Sequence, residues 1–104
     1  MKLNKMWQLV IRIKKNDNFE GKRIHSVVLD ILQKGKISGA TVWTGVAGYG
    51  KRGKSTLQIE GISVNMPLLI EAIDEIEKIE AVLPEIKSVV DDNGLVTVQE
   101  VGVV

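Results

Sequence analysis

Twice along this chain the spacing of apolar side chains changes from every second residue to every third or fourth. That double switch limits the architectures open to it. Trp7, Leu9, Ile11 and Ile13 fall on alternate positions, the pattern of a strand with one face on a core. Asn16, Asp17 and Asn18 form a turn cluster. Ile24, Val27, Val28, Ile31 and Leu32 then fall at i, i+3, i+4, i+7 and i+8, one stripe of an amphipathic helix. Gly35 is expected to stop that helix, as a residue that tolerates positive φ. Residues 37–46, with β-branched Thr41, Val42 and Thr44, predict a second strand. Leu57 and Ile59 alternate with Gln58 and Glu60, predicting a hairpin partner, with Gly61 marking a bend or bulge.

Residues 68–73 admit two readings. Pro67 suits the first position of a helix, but an apolar run that faces every side suits a strand buried on both faces, and the strand is the reading adopted. Ile76, Ile79, Leu83, Ile86 and Val90 then restore a helix stripe. Asp74 is the expected N-cap, with Glu75 and Glu77 at the positive end of the dipole. Pro84, inside the pattern, predicts a kink or short break. Asp92, Asn93 and Gly94 make a turn, and residues 95–101 are the last strand. Taking residues 57–73 as one interrupted strand region, the order is β-α-β-β-α-β. That is an α+β, ferredoxin-like two-layer sandwich, a single domain over residues 1–104.

Composition removes several function classes. With no Cys there is no thiol nucleophile and no Cys-based zinc site. One histidine, His25, cannot supply a two-histidine metal site, so no metal and no catalytic residue is expected. His25 reads as a packing or solvent-exposed residue on the flank of the first helix. The carboxylates of the second helix read as a solvated face, and Trp7 and Trp43 as core or interface rings. No apolar run is long enough to span a membrane, and the N-terminus has no apolar h-region, which makes the cytoplasm the default location. Charge is divided unevenly. Residues 1–54 carry 12 Lys and Arg against 3 Asp and Glu, a net +9, whereas residues 55–104 carry 2 against 10, a net −8. Three arrangements fit: the halves face each other within the fold, a basic face meets an acidic face of a neighbouring subunit, or the basic half binds nucleic acid. The first is preferred and the last disfavoured, because an acidic half folded alongside weakens the field. A single Phe and a single Tyr also leave too few aromatics for an RNA-binding sheet of this kind.

One loop carries a motif. Residues 48–55, GYGKRGKS, fit G-x-x-x-x-G-K-S/T at every fixed position. A phosphate-binding loop of that type needs a helix N-terminus directly after it. Here the following residues alternate as a strand, so the match is read as chance, in a Gly- and Lys-rich hairpin loop. Its three cations, Lys51, Arg52 and Lys54, remain available to an anion in another geometry.

The run Gly39-Ala40-Thr41-Val42, then Gly45, then Gly48-Tyr49-Gly50, resembles the signature of the PII-like family known as domain of unknown function 190. Met66-Pro67 with Ile70-Glu71 and Asp74, then Ile79 with Leu83-Pro84, then Gly94-Leu95-Val96-Thr97, resemble further segments of that family, in order, from about residue 8 to residue 101. The family is related to PII nitrogen-regulatory signalling proteins. The resemblance implies their β-α-β-β-α-β fold, a homotrimer, and adenine-nucleotide clefts between subunits. It also implies a loop between the second and third strands that reaches partner proteins. Gly48, Tyr49, Gly50 and Lys51 are similar to the Gly-aromatic-Gly-basic run at the base of that loop and become the candidate ligand residues. Arg52, Gly53, Lys54 and Ser55 become the candidate partner loop. Two departures matter. Where PII proteins carry a Gly- and Lys-rich phosphate loop, this chain has Asp91, Asp92, Asn93 and Gly94. The C-terminal arginines of PII are absent as well. Both argue against ATP bound in the PII manner and leave room for a less charged ligand.

The expectation is therefore a non-enzymatic PII-like regulatory protein. It senses a small effector, an adenine nucleotide or similar, at a cleft between subunits and meets a protein partner through residues 48–56. The alternative is an oligomeric interaction module with no nucleotide ligand. Neither involves nucleic acid or membrane insertion.

Overall fold

The computed structural model describes residues 1–51, 53–56 (as backbone) and 65–104. A four-stranded antiparallel sheet is built from β1 (Asn4–Lys14), β4 (Thr41–Thr44), β7 (Pro67–Asp74) and β8 (Leu95–Val103), in the order β4-β7-β1-β8. Between β1 and the helix α1 (Ile24–Lys34) sits a small hairpin of β2 (Asn18–Phe19) and β3 (Lys22–Arg23). A second hairpin, β5 (Ala47–Gly50) with β6 (Gly53–Thr56), follows β4. The helix α2 (Ile76–Val90) and a single 3-10 turn (Asp91–Asn93) lead into β8. This is the expected two-layer sandwich, with residues 67–74 as a strand. The predicted partner strand at Leu57 and Ile59, and the bend at Gly61, lie outside the described residues.

Both helices cover one face of the sheet. Leu9 and Ile11 from β1, Ile70 from β7, Ile24 and Val28 from α1, and Ile79, Ile86 and Val90 from α2 are fully buried there. Each such side chain withdraws apolar area worth about 1.5–3 kcal/mol. Alternation along β1 leaves Met6, Gln8, Val10 and Arg12 on the other face. There Met6, Val10 and Leu69 are half-buried, whereas Ile73 is 41% and Leu95 56% exposed. In β4, register puts Thr41 on this face and turns Val42 to the core.

Several boundaries differ from the sequence expectation, each for a tertiary reason. The second strand is four residues long, not ten, because residues 37–40 are spent joining α1 to the sheet. Ile37 N–H bonds Leu32 O at 3.0 Å and turns the Ile37 side chain into the core. Gly35 has φ −78°, and the left-handed residue after the helix is Lys36, at φ 63°. Gly35 is required for a different reason: a Cβ there would lie 2.5 Å from Val82 Cγ1, so the missing side chain lets the helices approach. Val82 and Val89 accordingly join the buried stripe of α2, where Leu83 is only half-buried. Pro84 does not break α2, and it sits on the exposed side of the helix. In the first hairpin, Glu20 and Gly21 both have positive φ, 50° and 81°, the backbone of a type I′ turn.

Asp74 is not the N-cap. It ends β7, paired with Trp7, and Glu75 is the cap residue. Its carboxylate instead ties two connections together. Oδ2 accepts the Ser38 N–H at 2.8 Å and Oδ1 the Glu75 N–H at 2.7 Å, with Lys78 Nζ 3.9 Å from Oδ1. Burial pulls the carboxyl pKa up, but the N–H groups of Ser38 and Glu75, the Ser38 side chain and the Lys78 charge together outweigh it, so the pKa lies below the ordinary value.

Two measurements test this account. Ile31, 6% exposed on the α1 stripe, should cost about 2–5 kcal/mol of stability as Ile31→Ala; a loss below roughly 0.5 kcal/mol in urea unfolding would contradict the packing. Asp74 binds protons less readily folded than unfolded. Its stabilisation is therefore complete above the ordinary carboxylate pKa of about 3.9 and fades as pH falls through the lower folded value. Asp74→Asn should flatten the acid limb of a pH–stability curve. An unchanged acid limb would remove this carboxylate from the fold's acid sensitivity.

Candidate functional site

The end of β1, the β4–β5 junction and the turn before β8 converge on the side of the sheet away from the helices. They border a cleft of about 690 Å³. Local sequence explains how each wall is made. Gly45 N–H bonds Pro67 O at 2.8 Å, and a Cβ on Gly45 would lie 2.8 Å from Pro67 Cγ, so the chain leaves β4 pressed against β7. The hairpin then rises with Gly48 beside Pro67. On the opposite side, Gly94 lies so close to the Arg12 carbonyl that any Cβ would overlap it. The absence of a side chain at Gly94 brings Asp92 and Asn93 to the cleft.

The four candidate ligand residues, Gly48, Tyr49, Gly50 and Lys51, all line this one cleft. Of the candidate partner residues, Gly53, Lys54 and Ser55 belong to β6, and Arg52 lies outside the described residues. The register also disposes of the phosphate-loop motif. Gly48 pairs with Ser55 and Tyr49 with Lys54 across an antiparallel ladder. The motif's lysine and serine therefore sit in a strand, with no helix N-terminus to present amides to a phosphate.

Three residues that sequence reasoning did not place here complete the site. Arg12 and Lys14 reach it from β1, and Trp43 from β4. Alternation already put Arg12 and Lys14 on the outward face of β1; what it lacked was the register that sets them beside the hairpin. Trp43, read as a core or interface ring, is 56% exposed on the cleft wall, and Tyr49 is 89% exposed. Trp7 by contrast packs against the core. Cations at Arg12, Lys14 and Lys51, one carboxylate at Asp92 and two aromatic rings make a cleft suited to an anion that carries a flat ring. His25 is outside it, its Nδ1 enclosed without a hydrogen-bond partner among the described residues. Among the described residues no cluster of three metal-ligating side chains occurs, and no helix is long and apolar enough to cross a membrane.

Comparison with known proteins agrees with the fold and the motifs. The model of DUF190, a family described as uncharacterised ACR, matches residues 6–103. The chain is similar to the UPF0166 protein MJ1524 of Methanocaldococcus jannaschii, 40% identical over 92 residues, covering 88% of this chain and 85% of that one. It is similar also to a UPF0166 protein of Aquifex aeolicus, 35% identical over 108 residues, covering 100% and 98%. Among solved structures it resembles CPII of Thiomonas intermedia, a nitrogen regulatory PII-like protein bound to ADP, AMP and bicarbonate. That likeness has a TM-score of 0.77 at 18% identity and covers 98% of this chain and 91% of the other. The chain belongs to the DUF190 family, and its fold is PII-like.

Proposed function

We propose that this protein is a non-enzymatic PII-like regulator. It takes a small anionic effector, an adenine nucleotide or a close analogue, in the cleft beside the β5–β6 hairpin and meets a protein partner through residues 48–56 of that hairpin. The observation that carries the reading is the convergence of Gly48, Tyr49, Gly50 and Lys51 with Arg12 and Lys14 on one cleft. The likeness to a PII-like protein bound to ADP and AMP supports the choice of ligand class. Asp92 at the rim weighs against a highly charged ligand.

The reading includes a homotrimer with the cleft completed between subunits. Outside the cleft, the sheet face away from the helices presents Met6 and Val10, half-buried, and Ile73, exposed, in one protomer, and a symmetric oligomer is the usual way to bury such a face. Light scattering at micromolar concentration should return three times the 11.5 kDa chain mass; a monomer would defeat the assembly.

Calorimetric titration with AMP, ADP, ATP and cyclic nucleotides, followed by a hydrolysis assay, tests the effector. Binding without turnover is expected. No binding of any nucleotide would favour the interaction module, and turnover would make the protein an enzyme. Two variants locate the site. A Cβ on Gly50 meets no atom within 4 Å, so Gly50→Val should fold normally yet crowd the cleft and abolish most binding. Lys54 lies in β6, paired with Tyr49 on the strand opposite the candidate ligand residues, and Lys54→Ala should keep effector affinity within about threefold, under ~0.7 kcal/mol. The reverse ranking would move the site from β5 onto β6.

A further inference from the structure

On the outward face of the sheet, one row of side chains crosses all four strands and lies in the cleft. Trp43 pairs with Leu69, Leu69 with Arg12, and Arg12 with Leu95. Directly paired residues point to the same face, and all four line the cleft. Trp43 and Arg12 stand two strand spacings apart, about 10 Å at the backbone. The Arg12 side chain is exposed, and neither it nor the Trp43 indole N–H has a hydrogen-bond or ion-pair partner among the described residues.

Trp43 and Arg12, on either side of Leu69 in this row, offer different chemistry. An indole face accepts a flat heteroaromatic ring by stacking. A guanidinium accepts a phosphate through paired N–H donors. Leu69 between them is apolar and half-buried, a floor against which a sugar edge can lie. Lys14 lies on the same face one row further on, opposite Pro67, and adds a second cation at the phosphate end. Asp92 borders the cleft as well and repels each further negative charge.

We propose that this row is a nucleotide track. The base stacks on Trp43 and the first phosphate meets Arg12, so that Trp43 selects for a planar base and Arg12 for its phosphate. The assignment rests on the effector reading above and deepens it, by dividing recognition between two named side chains. Stacking is open to any base with a π face, so the track distinguishes purine nucleotides weakly from one another. It distinguishes a nucleoside monophosphate sharply from ribose 5-phosphate.

The chain carries its own reporter, because Trp43 lies in the cleft while Trp7 packs against the core. The experiment is a fluorescence titration of the full chain with AMP, adenosine and ribose 5-phosphate, with affinities from calorimetry and the oligomeric state from light scattering. AMP and adenosine should quench the wild type, and ribose 5-phosphate should not. Trp43→Leu should weaken AMP and adenosine alike by about tenfold or more, and Trp43→Phe should restore most of that loss. Arg12→Gln should weaken AMP by about tenfold and leave adenosine unchanged. AMP affinity that survives Trp43→Leu, or an Arg12→Gln variant that loses adenosine as fully as AMP, overturns the track while leaving the effector reading intact. Loss of assembly in Trp43→Leu makes Trp43 a subunit contact and overturns the track too. A wild type that binds none of AMP, ADP, ATP and adenosine overturns the effector reading itself and the track with it.

Discussion

Everything in this fold depends on β1 lying between β7 and β8 in one fixed register. Trp7 pairs with Asp74 on one side and Glu100 on the other, and the ladder continues to Lys14 opposite Pro67. Because side chains alternate with a period of two, a slip of one residue would put Gln8, Val10 and Arg12 under the helices in place of Leu9, Ile11 and Ile13. Burying the Arg12 guanidinium without a partner would cost several kcal/mol at least. The hydrophobic pattern of a single strand thus selects the register. The register in turn sets which residues of β4, β7 and β8 share the cleft.

The parts of the fold that periodicity determines could be read in advance. The strand of β1 and the stripes of α1 and α2 follow from spacing alone, since each must bury one face whatever its neighbours are. Elements set by a single long-range contact could not. The shortness of β4 follows from the bond between Ser38 and Asp74, 36 residues apart, and the role of Gly35 from its approach to Val82. The cap at Glu75 follows because the sheet claims Asp74 as the last residue of β7. The site divides the same way. Gly48, Tyr49, Gly50 and Lys51 were visible through a family motif that occupies consecutive positions. Arg12, Lys14 and Trp43 come from separate strands, and only the pairing of those strands brings them together.

The division of charge between the two halves of the chain also finds a physical setting. The strongly basic first half supplies β1, α1 and β4, and the acidic second half supplies β7, α2 and β8. The sheet interleaves them, with β1 between β7 and β8 and β7 between β4 and β1, while α1 packs against α2. The elements of the basic and acidic halves therefore alternate through the fold, while the ion pair of Lys78 with Asp74 lies within the acidic half. At the cleft the balance tips. Arg12, Lys14 and Lys51 face Asp92, and this local excess of positive charge would draw an anion to the cleft of a protein whose net charge is only +1.

The same geometry indicates how occupancy of the cleft would reach the hairpin on the reading proposed here. Among the described residues β4 is an edge strand of four residues with β7 as its one neighbour in the sheet. The next tie after it is the bond from Gly45 N–H to Pro67 O, immediately before the β5–β6 hairpin. Short edge strands open locally at low free-energy cost. A ligand that lies from Trp43 to Arg12 touches β4 and β1 at once, across the strand between them, and so favours conformers in which the edge is closed. Such a ligand shifts the hairpin only by the difference in its affinity for the two arrangements. That difference comes from the contacts at Trp43 and in residues 48–51, because Arg12, in the centre of the sheet, is held in place whether or not the edge is closed.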